Sequence, residues 1–241
     1  MATVIGKDDV IISTIEHLLS AIYAYGIDNL RVTLDNDEIP ILDGSSSGYC
    51  MLIDEAGIVE QKATKKALRI KKEVSIEVDG KHVKLKPSNH IIYDFSIDFN
   101  HPSIGEQQFK FDYSVEQYKE QISRARTFGF LHEVQYLRSI GLAQGGTLDN
   151  AIVLDEEKVI NPDGLRFDDE FVRHKILDAI GDMSLLGYAI IGEYNAHAGS
   201  HHLNHLLTMK LLEDPENYEI IDLEEAVDHA QTLEVAYAKQ S

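Results

Sequence analysis

The chain has 241 residues, 44% hydrophobic and 26% charged, which is typical of a globular protein with one large domain or two small ones. Its formal net charge of −19 argues against binding to nucleic acid or to anionic membranes. No apolar run approaches the roughly 18 residues of a transmembrane segment, and the N-terminus lacks the features of a signal peptide. The single cysteine, Cys50, cannot form an internal disulfide, so we expect a reducing, cytoplasmic setting.

Residues 10–36 predict a strand, a helix and a second strand. Ile15, Leu18 and Ile22 repeat at helical spacing, and Gly26 stands where a helix would end. A turn and a further helix are predicted to follow. The predicted topology thus begins with a mixture of strands and helices.

At residues 62–67 a basic connector separates two parts of the chain with different sequence patterns, and we place a domain boundary there. Beyond it, Asp79 and Gly80 predict the turn of a β-hairpin. The later strands and helices come in clumps and do not alternate strictly, which favours an α+β fold. Predicted strands are residues 91–100, 108–114, 150–155 and 188–199, and predicted helices are 115–128, 131–141, 173–182, 200–214 and the acidic tail from 213.

His174, Asp178 and Asp182 are spaced by four, so they share one face of a helix. An imidazole and a carboxylate from such a face can bind one zinc ion, and a catalytic zinc site takes a third protein ligand from elsewhere. The alternative is a polar helix face stabilised by pairs four residues apart.

Glu16 and His17 are a second candidate, in which His17 binds a metal and Glu16 accepts a proton from water. Two structural alternatives remain. Ser13 and Glu16 have the spacing of a capping box, and His17 has the pattern of a packed amphipathic histidine.

Four histidines crowd into residues 197–205. They could supply a proton donor to a metal site, form a separate metal site from His201 and His205, or cluster on the surface at a helix start. Earlier in the chain, Arg124, Arg126 and Thr127 predict either an anion-holding turn or a helix end whose arginines meet acidic neighbours.

Residues 44–48 match the pattern G-x-S-x-G, with Ser46 as the nucleophile of a serine hydrolase. Three serines between two glycines equally fit a flexible turn. No downstream Asp-then-His order supports the hydrolase, so the pattern favours the flexible turn.

Several of these stretches together resemble the UDP-3-O-acyl-N-acetylglucosamine deacetylases, zinc amidases of lipid A synthesis in Gram-negative bacteria. VRHKILDAIGD and RTFGF are the most specific of them. The stretches occur in the family's order and approximate separation, and they are residues 13–30, 38–46, 123–130, 164–182 and 200–207.

The resemblance implies zinc-dependent removal of the N-acetyl group from a UDP-linked, acylated glucosamine. It implies that zinc, or Fe²⁺, is bound by His17, His174 and Asp178. The other implied roles are Glu16 as general base, His201 as cationic acid oriented by Asp182, Thr127 as oxyanion stabiliser, and Lys175 and Phe128 as substrate contacts.

The resemblance also implies an α+β fold of two domains, each a sheet layered with helices, with the active site between them. The family begins with roughly 60 more residues, so residues 1–65 would be a remnant of the first domain with exposed sheet edges. Residues 66–241 would be the second domain, with an acyl-passage insert supplied by 153–167 and 188–194. A shortened member that binds metal or ligand without catalysis is the alternative function.

In that family, the loop before the acid histidine usually carries a basic residue, whereas residues 197–201 here read His-Ala-Gly-Ser-His. This departure from the family pattern predicts weaker affinity for the nucleotide diphosphate than is usual in the family.

Overall fold

A computed structural model describes residues 2–141 and 144–223, which form the predicted α+β fold. The strands are β1 Val4–Lys7, β2 Val10–Ser13, β3 Lys66–Ile70, β4 Val74–Val78, β5 Lys81–Lys86, β6 Ile91–Phe99, β7 Gly105–Asp112, β8 Phe128–Phe130, β9 Ile152–Leu154, β10 Ala189–His197 and β11 Tyr218–Asp222. The helices are α1 Glu16–Ala24, α2 Ser47–Ala56, α3 Val115–Gln117, α4 Leu131–Ser139, α5 Glu170–Met183 and α6 His201–Glu213. A π-helical turn, Tyr118–Ile122, continues α3.

The main sheet is built around β10. Its first half pairs in parallel with β3, and its second half pairs with β5 antiparallel and with β6 in parallel. β4 extends the sheet beyond β5, β7 beyond β6, and β11 beyond β3. The assignment of residues 188–194 to an acyl passage is therefore wrong, because most of them form the first part of the central strand.

The hairpin predicted at Asp79 and Gly80 is confirmed, because both residues have positive φ between β4 and β5. Two predicted elements are wrong. Residues 218–222 form a strand on the edge of the main sheet where a helix was predicted. Residues 27–34 form no strand, and within the described ranges they have no strand partner. The rest of the predicted helical tail, residues 224–241, lies outside the described residues.

Helix α5 is the buried centre of the helical layer. It packs against α1, α6 and the strands β6 and β7. Gly181 sets the closest approach, since a Cβ atom there would lie 2.1 Å from the carbonyl oxygen of Glu16. Only glycine lets the backbone of α1 come this near to α5.

Two small sheets flank this body. β1 and β2 form an antiparallel hairpin that leads directly into α1. β8 and β9 form a parallel pair, with α4 between them in sequence. Within the described ranges, no helix combines the length and the apolar character needed to cross a bilayer. The division into two domains at residue 65 stays a prediction.

Candidate metal centre and active site

Three potential metal ligands meet where α1 crosses α5. His17 comes from α1, and His174 and Asp178 lie one turn apart on α5. One donor atom from each of the three lies within 4.8 Å of the others. The Oδ1 atom of Asp178 is 3.7 Å from His17 Nε2 and 3.3 Å from His174 Nε2. All three side chains are buried, so the group is more than a solvated helix face.

The contacts that these side chains make outside the cluster, and their protonation states, suit metal binding. His174 Nδ1 lies 3.1 Å from the Ala125 carbonyl oxygen, and donating to it leaves the Nε2 lone pair facing the cluster. Burial lowers the pKa of His174 to about 3, so the ring is neutral. Burial disfavours the carboxylate form of Asp178, but the nearby positive charge of Lys175 holds its pKa well below the usual value.

His17 supplies the second imidazole of the cluster, with its Nε2 atom facing Asp178. Its Nδ1 atom is buried without a hydrogen-bond partner among the described residues. Its ring stands edge-on to that of His174, with centroids 5.0 Å apart and an interplanar angle of 89°. Two imidazole nitrogens and one carboxylate oxygen are a donor set that zinc and ferrous iron both accept. The residues present therefore fit a metal ion.

A carboxylate and a third histidine lie beside the cluster. Glu16 Oε1 is 3.8 Å from His201 Nε2, and Glu16 Oε2 accepts a hydrogen bond from the backbone N–H of Thr3. Burial, followed by the charge of Asp178, raises the pKa of Glu16 above its usual value. The capping-box alternative is wrong, because the N-cap of α1 is Ile15 and makes no side-chain cap bond.

His201 begins α6 and is held by Asp182. Its Nδ1 is 2.8 Å from Asp182 Oδ2, which also accepts a hydrogen bond from Asn204. Burial opposes protonation of His201, but the hydrogen bond to Asp182 and the neighbouring carboxylates raise its pKa above the usual value. The predicted spacing of α5 thus places two potential ligands and then a histidine-orienting carboxylate on one helix face.

The four-histidine segment divides into separate environments. Only His201 faces the cluster; His202 and His205 are exposed. His197 lies at the end of β10, with its Nδ1 3.0 Å from the Ser96 hydroxyl. The two histidines proposed for a separate metal site, His201 and His205, have different surroundings, and within the described ranges the group of His17, His174 and Asp178 is the single candidate metal cluster.

Of the three residues predicted to act on the substrate, Phe128 and Lys175 lie beside the cluster, and Thr127 precedes Phe128 in the chain. Thr127 lies two residues after Ala125 and is fixed by a 2.7 Å hydrogen bond from its N–H to the Gly44 carbonyl oxygen. The Phe128 ring stands edge-on to the His174 ring at 6.4 Å. Lys175 Nζ lies 5.7 Å from the Phe128 ring centroid and donates to Asp178 Oδ2 at 2.9 Å.

The anion-holding turn is not supported for Arg126. Its guanidinium and backbone N–H both bond to the Glu170 carboxylate, and neither side chain is more than 7% exposed. Arg124 stacks on Phe167, with its guanidinium carbon 5.8 Å from the ring centroid. The alternative of arginines meeting acidic neighbours is therefore confirmed for Arg126.

Ser46 is not an exposed nucleophile. Its side chain is fully buried, and its hydroxyl lies 2.7 Å from the Tyr118 hydroxyl and 3.3 Å from the Ser123 carbonyl oxygen. Neither partner is a general base of the kind that activates a serine. The serine-hydrolase alternative is wrong.

Sequence reasoning missed two residues that shape the site. Thr3 contacts Glu16, Asp182 and His201. Gly181 allows α1 to approach α5. Neither residue belongs to a metal-ligand or acid–base pattern, and no spacing signal in the sequence points to either.

Comparison with known proteins finds relatives over nearly the whole chain. The profile of the family described as UDP-3-O-acyl N-acetylglycosamine deacetylase matches residues 1–213. The UDP-3-O-acyl-N-acetylglucosamine deacetylase of Aliarcobacter butzleri is 74% identical over 240 residues, covering 99% of this chain and 80% of that protein. Proteins of the same name from Nitratiruptor sp. and Sulfurimonas denitrificans are 65% and 61% identical, over 100% and 99% of this chain and 80% of each relative. The similarity includes both helices that form the candidate metal centre.

Proposed function

Because the chain belongs to the UDP-3-O-acyl N-acetylglycosamine deacetylase family, we propose that it hydrolyses the N-acetyl group of UDP-3-O-(3-hydroxyacyl)-N-acetylglucosamine. The products are the free amine and acetate, and the reaction belongs to lipid A biosynthesis. The observation that carries the proposal is the meeting of a His₂Asp donor set with a carboxylate and a carboxylate-held histidine.

His17, His174 and Asp178 would hold the metal ion, which we propose to be zinc, with Fe²⁺ as the other ion that the donor set accepts. When bound, such an ion lowers the pKa of water and polarises a carbonyl oxygen. Lys175 occupies Asp178 Oδ2 and so leaves Oδ1 for the ion.

Glu16 and His201 would carry the protons. As the water oxygen bonds to the acetyl carbon, Glu16 accepts the proton that the water loses. The bond between that carbon and the glucosamine nitrogen then breaks, and His201 donates a proton from Nε2 to the leaving nitrogen. The raised pKa values of both groups suit these roles, because a raised pKa makes Glu16 a stronger base and keeps His201 in its charged, acidic form.

Thr127, Phe128 and Lys175 would receive the substrate. We assign to Thr127 the stabilisation of the negative charge that develops on the carbonyl oxygen. Lys175 and Phe128, in contact with each other beside His174, would contact the sugar nucleotide. Residues 153–167, which begin in β9 of the small parallel sheet, are proposed to form part of the acyl passage.

Acetate release by the purified chain, with and without a chelator, tests the function. We expect release that stops on chelation and returns when zinc is restored. Zinc binding without release, from a folded chain, would contradict the proposed hydrolysis and favour a relative that binds metal or ligand without catalysis.

A further inference from the structure

Thr3 touches all three members of the proposed proton-transfer group. Its backbone N–H donates to Glu16 Oε2 at 3.0 Å, and its hydroxyl donates to Asp182 Oδ1 at 2.5 Å. The same hydroxyl oxygen lies 3.1 Å from His201 Nδ1. One residue outside α1, α5 and α6 therefore joins side chains from all three helices.

The β1–β2 hairpin fixes the position of Thr3. Val4 pairs with Ser13 in the antiparallel register, and the Thr3 carbonyl oxygen accepts a 3.4 Å hydrogen bond from the N–H of Ile15. Thr3 is thus held opposite the residue that precedes Glu16. Because the hairpin leads directly into α1, the backbone that carries the base also locates Thr3.

The hydroxyl completes the hydrogen bonding of a buried carboxylate. Asp182 is 4% exposed, and its Oδ2 atom faces His201 and Asn204. Thr3 supplies a donor to the other oxygen, Oδ1. With both oxygens engaged, the carboxylate plane is fixed, and so is the direction in which it holds the His201 ring.

The backbone contact acts in the same way on the base. Thr3 N–H occupies Glu16 Oε2, which leaves Oε1 directed at His201 Nε2, 3.8 Å away. The free carboxylate oxygen and the free imidazole nitrogen therefore face each other across the space where the proposed chemistry occurs.

We propose that Thr3 is a positioning residue of the deacetylase, which aligns Asp182 and His201 through its hydroxyl and Glu16 through its amide. This inference rests on the proposed function. It transfers no proton itself. Its hydroxyl contribution acts through the Asp182–His201 pair, so removing the hydroxyl lowers turnover and leaves binding of substrate and metal unchanged.

Thr3→Val removes the hydroxyl and keeps the shape of the side chain, whereas Thr3→Ser keeps the hydroxyl and removes the methyl group. For Thr3→Val we expect kcat to fall about 10- to 100-fold with KM and zinc content unchanged, because a hydrogen bond to a buried charge is lost. Thr3→Ser restores most of the activity. Thr208→Val is the matched control, since among the described residues the Thr208 hydroxyl bonds to a carbonyl of its own helix, that of His205.

A second background separates positioning from a general structural role. In His201→Gln, Thr3→Val should lower the residual rate less than about threefold, since effects that act through one group are not additive. A full additional loss in that background, or equal losses in Thr3→Val and Thr3→Ser, overturns the inference. If Thr3→Val does not fold, Thr3→Ala takes its place in the same comparison.

A readout without turnover keeps this inference distinct from the proposed function. The His201 ring proton on Nδ1 should give an exchange-protected signal in the proton NMR spectrum of the wild type and lose that protection in Thr3→Val. An unchanged signal in Thr3→Val overturns the positioning role, whether or not the chain releases acetate. A wild-type chain that shows the signal but releases no acetate contradicts the proposed function alone.

Discussion

Residues 2–65 and 66–223 are packed very differently, yet both contribute side chains to the candidate site. The later region carries the seven-stranded sheet and most of the buried apolar side chains. The earlier region contributes few core residues and leaves many large apolar side chains exposed. These are Val4, Ile5, Val10, Ile11, Leu30, Val32, Leu42, Met51, Leu52, Ile58 and Val59.

The chemistry of the earlier region is nevertheless buried. Glu16 and His17 are each 4% exposed, because α1 lies directly on α5. The site therefore depends on one helix–helix contact and the hairpin before it, and not on an extensive core around each candidate catalytic group. Substitutions in each region test whether the two regions differ in this way.

The largest effect is expected from Glu16→Gln, which keeps the shape and removes the base. Acetate release should fall about 10²- to 10⁴-fold, the range typical of general-base catalysis. Glu38→Gln is the matched control from the same region, because Glu38 is exposed and bonds to Thr14. Steady-state rates at equal zinc content check both variants, and equal activity of the two would remove Glu16 from the mechanism.

Glu170→Gln tests the buried ion pair between Glu170 and Arg126 in the later region. The change leaves the buried Arg126 guanidinium without its carboxylate, which should lower the free energy of unfolding by about 3–5 kcal/mol. Glu219→Gln removes the exposed partner of Arg69 and should cost less than about 1 kcal/mol. Urea unfolding measures both. A smaller effect at Glu170 than at Glu219 would contradict the importance of the buried pair.

Gly181→Ala tests the contact between the two regions. The added methyl group would press on the Glu16 carbonyl oxygen, so we expect a loss of about 2–3 kcal/mol in stability and lower activity of the folded enzyme. Gly145→Ala is the control, because a Cβ atom added there would meet no described residue within 4 Å. Thermal unfolding and acetate release check the pair; unchanged activity in Gly181→Ala would show that α1 can shift without consequence.

The smallest effect concerns Asp43, which links the earlier region to Arg166 in the later one at 2.8 Å. Burial opposes its ionisation, but hydrogen bonds from Ser45 and Arg166 lower the pKa of Asp43 below its usual value. A lowered folded-state pKa stabilises the protein above the unfolded-state pKa, and this stabilisation is lost as the pH falls through the folded-state pKa.

Asp43→Asn should therefore be less stable than wild type by less than about 1 kcal/mol at a pH of about 6, since the pair is partly exposed. The difference should shrink as the pH is lowered below about 4. Urea unfolding at several pH values measures it. A difference that grows toward acid pH would have the wrong sign for this linkage.

The sequence predicted the helices of the site because their signals are local. His174, Asp178 and Asp182 share a face by spacing alone, and the resemblance supplied His17 as the third ligand. The pairing of β10 with three other strands depends on contacts far apart in sequence, so the local pattern of residues 188–199 could not reveal its central place. Residues 27–34 have a sequence pattern typical of a strand, but they pair with no other strand in the described structure.

Other parts of the site were hidden for similar reasons. Thr3 gains its role from a hairpin that brings it to α5 and α6, 179 and 198 residues away in sequence. In the sequence, Glu16 fits two roles, a carboxylate of the site and the partner of Ser13 in a capping box. The three-dimensional contacts distinguish the two. From the sequence alone, Gly181 predicts only a lower local helix stability. Its role becomes visible once the backbone of α1 is seen to pack against it.

Zinc stoichiometry in His17→Gln shows whether one metal ion joins the two regions, because His17 is the proposed ligand that the earlier region contributes. Wild type and the exposed-histidine control His205→Gln should each bind one zinc ion per chain. His17→Gln and His174→Gln should both lose it, showing that one ion joins α1 to α5. Unchanged zinc binding in folded His17→Gln would contradict a metal centre shared between the two regions.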